Sequence, residues 1–231
     1  MRGAVVLRPE PADARTAALL DAFGIAVQRC PLFAVRPVGW DVPDPACYDA
    51  ILLTSANAAR HAGSSLALLT GLPVLAVGRA TAASARTAGL HVALTGDADA
   101  AALVAQARAR GWTRLLHLAG RDRIALPGVD QRTIYVSEAL PIAAGAAEAW
   151  RDHVVLLHSA RAARRFGELV GRDDVPREAI AVAALSKQVA EAADRGWAAL
   201  GVAAEPTDAA LVDVAAALID RAGPAADKRG R

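Results

Sequence analysis

Short apolar runs recur along this chain, and nearly every one is followed by a segment in which Ala, Leu and Val return at helical spacing. The first run, Ala4 to Leu7, predicts a buried strand; Ala12 to Phe23, closed by Gly24, predicts a helix, and Ile25 to Phe33 a second strand. Further strands are predicted at Ala50 to Leu53, Val74 to Val77, Val92 to Leu94, Arg114 to Leu118, Val154 to Leu157, Ile180 to Ala183 and Ala199 to Val202. Helices are predicted from Ala56 onward, over Ala80 to Ala88, Ala100 to Arg110, Ala160 to Val170, Gln188 to Arg195 and Asp208 to Arg221, and Gln131 to Val136 is β-prone. Continuous apolar strands alternating with helices are the pattern of parallel sheets covered on both faces, so the expected class is α/β.

The pattern also repeats over a long period. Tyr48 to Arg60, an apolar run that stops at Thr54 and Ser55 before an alanine-rich helix, is echoed by Asp152 to Arg164, so that Ser55 and Ser159 correspond. Pro73 to Thr81 is echoed by Ile180 to Ser186, and Asp99 to Leu103 by Asp208 to Leu211. A period of about a hundred residues is a whole domain used twice rather than a solenoid repeat of 20–50 residues. The Pro-rich stretch Arg36 to Pro45 and the segment Ser137 to Pro141 read as linkers. Two strands before the first linker are too few for a covered sheet, and the three after the second supply the missing ones. The expected domains are therefore a discontinuous one of residues 1–35 and 138–222 and a second of residues 36–137, with a disordered tail at 223–231. Two crossing linkers permit hinge motion.

Composition narrows the function classes. The chain has 231 residues, 54% hydrophobic but only 4% aromatic, which suits close helix–sheet packing through Ala, Val and Leu and argues against disorder. A net charge of +2 is too small for the basic stripe that nucleic acid requires. Cys30 and Cys47 lack metal or disulfide spacing, which is expected of a reducing cytoplasm. The apolar start is too short for a secretory signal, and no run reaches the ~18 apolar residues of a membrane span.

The common dinucleotide, P-loop and serine-hydrolase signatures are absent, and the five histidines show no metal-ligand spacing, so no metal is expected. What the chain offers instead is hydroxyls and glycines where strands run into helices, places suited to an anion. Arg8 follows the first strand, where the ligand crevice of an open α/β sheet lies, as readily a solvated loop residue as a ligand contact. Gly78 allows close approach of a ligand, and Thr81 is read as the cap of the next helix. His158 reads as a packing residue, and Asp99 as a helix cap. Tyr135 lies on the β-prone segment leading to the second linker; its spacing favours packing over chemistry.

Taken together and in order, Leu7 to Pro9, Pro31 and Leu32, Tyr48 and Asp49, Leu53 to Ser55, Ala76 to Gly78, Ala80 to Ala82, Tyr135, Pro141, His158 to Ala160, Leu185 and Ser186, and Glu205 and Pro206 give the chain a resemblance to the uroporphyrinogen-III synthase family over nearly its whole length. The resemblance implies two flavodoxin-like, HemD-like parallel-sheet domains joined by a two-stranded linker. It also implies a cofactor-free lyase that closes linear hydroxymethylbilane to uroporphyrinogen III with inversion of ring D, through a spirocyclic pyrrolenine, in haem biosynthesis. Tyr135 matches the tyrosine held to help the hydroxyl leave, and Ser55, Thr81, Ser159 and Ser186 match positions that bind substrate. A monomer in transient contact with hydroxymethylbilane synthase is implied as well. The chain departs from the family pattern between Gly120 and Tyr135, where a strand–helix passage is cut to Arg123–Arg132. A non-catalytic two-lobe sensor of an anionic metabolite is the competing reading.

Overall fold

The structure, a computed structural model, describes residues 1–97 and 99–221; the tail expected to be disordered lies outside the described residues. The chain divides into two compact units, unit 1 of Met1–Ala34 with Ala139–Arg231 and unit 2 of Val35–Glu138.

Unit 1 is a five-stranded sheet built from β1 (Ala4–Val6), β2 (Val27–Arg29), β9 (Val154–Leu157), β10 (Ala181–Ala184) and β11 (Ala199–Val202), in the order β2-β1-β9-β10-β11 and parallel throughout. This is the doubly wound order in which the chain first adds a strand on one side and then returns to add the rest on the other. Every residue of β1, β9 and β10 is buried, as the continuous apolar runs demand, because both faces are covered. On one face lie α5 (Ala160–Arg172) and α6 (Lys187–Ala193), packed through Trp150, Phe166 and Trp197; the Phe166 ring meets Trp150 tilted at 5.6 Å and stacks on Trp197 at 4.7 Å. On the other face α1 (Ala12–Ala22) and α7 (Asp208–Arg221) bury Leu20, Leu211, Val212 and Ala215.

Unit 2 carries a six-stranded sheet of order β6-β5-β4-β7-β8-β3. Its strands are β3 (Phe33–Pro37), β4 (Ala50–Leu53), β5 (Val74–Val77), β6 (Val92–Gly96), β7 (Leu115–Gly120) and β8 (Asp130–Ala139). Helices α2 (Ala56–His61) and α3 (Arg79–Thr87) cover one face through Ala58, Ala62, Ala82 and Ala85. The other face is covered by α4 (Ala100–Ala109), through Leu103, Val104 and Ala107, and by Leu126. Strands β7 and β8 run parallel, yet the passage between them, residues 121–129, contains no helix. Parallel neighbours are ordinarily joined by a crossover of a dozen or more residues that includes one. Here Leu126, with Val129 packed partly beside it, fills part of the space a helix would take.

Three expectations need correction. The stretch from Arg36 was read as an irregular linker, but Arg36 and Pro37 end β3, an edge position where the missing N–H of Pro37 breaks no ladder. Likewise Ser137, Glu138 and Ala139 continue β8 instead of leaving the sheet. The second strand is also shorter than expected, since Cys30 to Leu32 separate β2 from β3.

Candidate functional site

In open α/β sheets, ligands bind beyond the carboxyl ends of the strands, at the point where the strand order reverses. In unit 2 that point lies between β4 and β7. Strand β4 ends in Thr54 and Ser55; Ser55 adopts an extended backbone and its Oγ accepts from Asn57 N at 3.2 Å, capping α2 as the hydroxyl turn predicts. Strand β7 ends in Gly120. Pairing with β8 shifts between Ala119 and Gly120, so that Gly120 lies opposite Tyr135 and Ile134 is skipped. Such an extra residue turns the following side chain toward the other face of the strand. A Cβ on Gly120 would come within 2.6 Å of the Tyr135 ring, so the ring rests on bare backbone at the sheet's carboxyl edge, 6.2 Å from the ring of His61.

Beside it a cavity of about 250 Å³ opens, lined among others by Thr54, Ser55, His117, Arg123, Ile124 and Tyr135. The roof is the helix-free passage after β7, with Ile124 84% exposed at its surface. His117 is 2% exposed; its Nε2 lies 3.0 Å from Thr54 Oγ1, and its Nδ1 is buried without a partner. Burial, helped by the nearby Arg123 charge, pushes the His117 imidazole down to about 4, so it is neutral at pH 7. The Arg123 guanidinium is tied to Gly120 O at 2.9 Å, Thr133 Oγ1 at 2.6 Å and Gln131 Oε1 at 2.6 Å.

In unit 1 the reversal lies between β1 and β9, and the chain fills it with a carboxylate of its own. Arg8 Nη1 donates to Asp208 Oδ1 at 2.5 Å and to Thr16 Oγ1 at 3.2 Å. Arg15 and His158 each stand 3.5 Å from the same carboxylate, from the surface and the interior respectively. The contact with His158, with Arg8 and Arg15 behind it, brings the Asp208 carboxyl down to about 2. Burial lowers His158 from its ordinary value, and likewise Arg8. Ser159 Oγ caps α5 through Ala162 N at 3.2 Å, and Ser186 Oγ caps α6 through Val189 N at 3.4 Å. Helix α5 then sets Arg161, Arg164 and Arg165 in its first two turns, beside a cavity of about 300 Å³. Cations at the positive end of a helix dipole are unfavourable unless an anion answers them. Arg161 lies 4.4 Å over the Phe33 ring, and Arg165 Nη2 donates to Leu140 O at 2.6 Å.

Among the sequence candidates, Ser55 and Tyr135 therefore share one cavity, while Gly78, with φ +80°, starts α3 at the end of β5 and is not among the residues lining it. Ser159 and Ser186 occupy the corresponding edge of unit 1. Thr81 is corrected: it lies inside α3, 5% exposed, and the cap position belongs to Gly78, which has no side chain to cap with. Arg8 is drawn inward by Asp208. His117 and the α5 arginines escaped the sequence reading; the arginines carried a readable signal in their crowding after Ser159, whereas His117 carried none inside an apolar run. Among the described residues no cluster could hold a metal ion, and no helix is long and apolar enough to cross a membrane.

A family model described as uroporphyrinogen-III synthase HemD matches residues 14–213 of this chain. The fold is similar to that of uroporphyrinogen-III synthetase from Helicobacter pylori 26695, with a TM-score of 0.66 at 14% identity, over 94% of this chain and 100% of that one. It is also similar to a mutant uroporphyrinogen III synthase from the extremely thermophilic bacterium Thermus thermophilus, with a TM-score of 0.51 at 16% identity, over 91% and 96%. Among curated proteins, none matches the chain.

Proposed function

The chain belongs to the uroporphyrinogen-III synthase family, cyclising lyases of haem biosynthesis that act on a tetrapyrrole, and on that premise we propose how its residues divide the work. The reaction closes linear hydroxymethylbilane to uroporphyrinogen III with ring D inverted. Tyr135 is the acid: as the C–O bond of the hydroxymethyl group breaks, driven by its own pyrrole, the hydroxyl takes the phenolic proton and leaves as water. Ring D then attacks through its substituted carbon to form the spirocyclic pyrrolenine; the bond from that carbon to the methylene bridge of ring C breaks, ring D re-closes on that bridge through its unsubstituted α-carbon, and the proton lost from that carbon restores the phenol. A substrate that ionises this readily needs orientation and one modest acid, contributing on the order of 10²–10⁴ in rate.

The observation that carries the assignment of Tyr135 is its seat on Gly120. The pairing shift in β8 and the missing side chain together hold the ring at the sheet's carboxyl edge, against the cavity that Ser55 also lines. Arg8, Ser55, Gly78, Ser159 and Ser186 are assigned to the substrate-binding edges, supported by their place at carboxyl ends of strands; for Arg8 the assignment requires the substrate to compete with Asp208. The α5 arginines add positive charge to the unit 1 edge. A cytoplasmic location accords with Cys30 and Cys47 as free thiols, and the chain is assigned as a monomer in transient contact with hydroxymethylbilane synthase.

The test is single-turnover closure of freshly made hydroxymethylbilane, with oxidised products separated into isomers I and III. Tyr135→Phe lowers kcat roughly 10²-fold or more and leaves product affinity nearly unchanged, because a proton given only in the transition state adds nothing to ground-state binding. Isomer III formed by Tyr135→Phe at the wild-type rate removes Tyr135 from the chemistry; a wild-type protein that yields only isomer I overturns the activity.

A further inference from the structure

We propose that the cavity beside the start of α5 is a subsite for one carboxylate arm of the substrate, an acetate or propionate group, received by the guanidinium of Arg164; this rests on the synthase reading above. The cavity, about 300 Å³, belongs to unit 1 and is lined by Phe33, Ala139, Arg161, Arg164, Arg165 and Glu168. Three guanidinium groups against one carboxylate leave this lining with a net charge of +2.

Other arginines of unit 1 meet acids: Arg8 has Asp208, Arg172 has Asp173 at 2.8 Å and Arg177 has Asp194 at 3.0 Å. Arg164 has none. It is exposed, and among the described residues its side chain makes no hydrogen bond or ion pair. Arg165 Nη2 donates to Leu140 O at 2.6 Å, a neutral acceptor that leaves its charge unbalanced. Glu168 follows Arg164 by four residues and Arg165 by three, yet among the described residues it pairs with neither. Phe33, 6% exposed, gathers the cluster, with the guanidinium carbons of Arg161 and Arg165 at 4.4 and 5.8 Å from its ring centre. Like charges four residues apart on a helix repel, and the first turns of a helix are its positive end, so cations there are disfavoured on two counts. The ring offsets part of that cost and an anion in the cavity offsets the rest.

Chemistry and size together select the anion. A guanidinium presents a planar fork that receives both oxygens of a carboxylate side by side, and the substrate is rich in carboxylates. A volume of about 300 Å³ is at the lower limit of small-molecule pockets, so it admits an arm and not the tetrapyrrole itself. Ser159, already assigned to the substrate, caps the same helix.

Two measurements decide this. In steady-state closure of hydroxymethylbilane, Arg164→Gln raises KM roughly fivefold and changes kcat less than about twofold, since the arm is held alike in ground and transition states. Arg164→Lys, which keeps the charge and loses the fork, falls between the two. Both variants keep the wild-type urea midpoint, because Arg164 is unpaired in the free protein; a merely structural role would move it. Product affinity, set beside that of the analogue with methyl groups in place of the acetates, tells the arms apart: a loss confined to the product assigns acetate, and equal losses assign propionate. In the ¹³C spectrum of arginine-labelled wild-type protein, titration with sodium propionate moves the Arg164 Cζ resonance to saturation, and sodium chloride at equal ionic strength does not. A linear shift, or the same shift with chloride, marks an adventitious ion only and overturns the proposal, as does a wild-type KM in Arg164→Gln. A wild-type protein that forms no isomer III defeats the activity reading instead, and the propionate titration then decides the subsite by itself.

Discussion

Replacing Asp208 by Asn tests the carboxylate buried at the reversal point of unit 1. The side chain is 20% exposed and Arg8 beside it 21%, so the pair is largely shielded, with Arg15 and His158 each at 3.5 Å. A carboxyl held at about 2 against its ordinary 3.8 represents, at about 1.36 kcal/mol per unit, some ~2 kcal/mol of stabilisation. The amide of the Asp208→Asn variant would keep a hydrogen-bond acceptor but leave two guanidinium groups without their counter-charge, and one of them is mostly buried, so about 2–3 kcal/mol of loss is expected in total. The sign follows from linkage. The folded-state value lies below the unfolded one, so the contribution is complete above pH ~4 and is lost as pH falls toward ~2. The assay is urea unfolding followed by tryptophan fluorescence in a Trp40→Phe, Trp112→Phe background, which leaves Trp150 and Trp197 in the unit 1 core to report. A difference from wild type below about 0.5 kcal/mol at pH 7, or one that persists undiminished near pH ~2.5, would refute the reasoning.

Gly120→Ala should leave stability nearly intact, because the atoms its Cβ would meet are the outer end of the Tyr135 ring, which can swing away; kcat for isomer III should nevertheless fall in step with the ring's displacement, toward the Tyr135→Phe value. Product affinity separates this from a folding defect, since it stays at the wild-type level. Unit 2 should lose stability as the medium is acidified from pH ~6.5 to ~4: the His117 value is lowered by folding to about 4, so the unfolded chain binds the proton first, and the penalty approaches ~3 kcal/mol at the lower limit. Thermal melts of wild type and His117→Gln across that range should converge on the acid side, and parallel curves would exclude His117 as the cause.

Much of the architecture could be read from the chain because its signals are local. An apolar run that ends in a hydroxyl and opens into alanines specifies strand, cap and helix at once, and Ser55, Ser159 and Ser186 all sit at such junctions with their caps formed. Thr81 misled because Gly78 offers the same turn without a side chain, which puts the cap three residues before Thr81. Pro37 misled because proline punctuates most sequences as a linker, yet an edge strand tolerates it. What could not be read depends on partners far apart along the chain. Nothing near Asp208 tells that it meets Arg8, 200 positions away, and nothing in the run Leu115 to Leu118 tells that no second helix joins α4 on the face that carries His117. The pairing shift that aims Tyr135 is likewise a property of two strands, invisible in either alone.

The sheet of unit 1 has a consequence for the order of folding. Val6 pairs with Leu156, about 150 positions later, so bringing β1 to β9 in an open chain carries a closure entropy of roughly 4 kcal/mol. The intervening residues 35–138 are unit 2, and its first and last strands, β3 and β8, are neighbours in one sheet. Once that sheet has formed, the loop that remains is about a third as long, and closure becomes easier by about 1 kcal/mol. Unit 2, whose contacts lie within one continuous segment, is thus the part that gains from forming early, and the rate at which unit 1 closes inherits the stability of unit 2. A weakened unit 2 core would delay the ring of contacts around β1 without touching any residue of that ring.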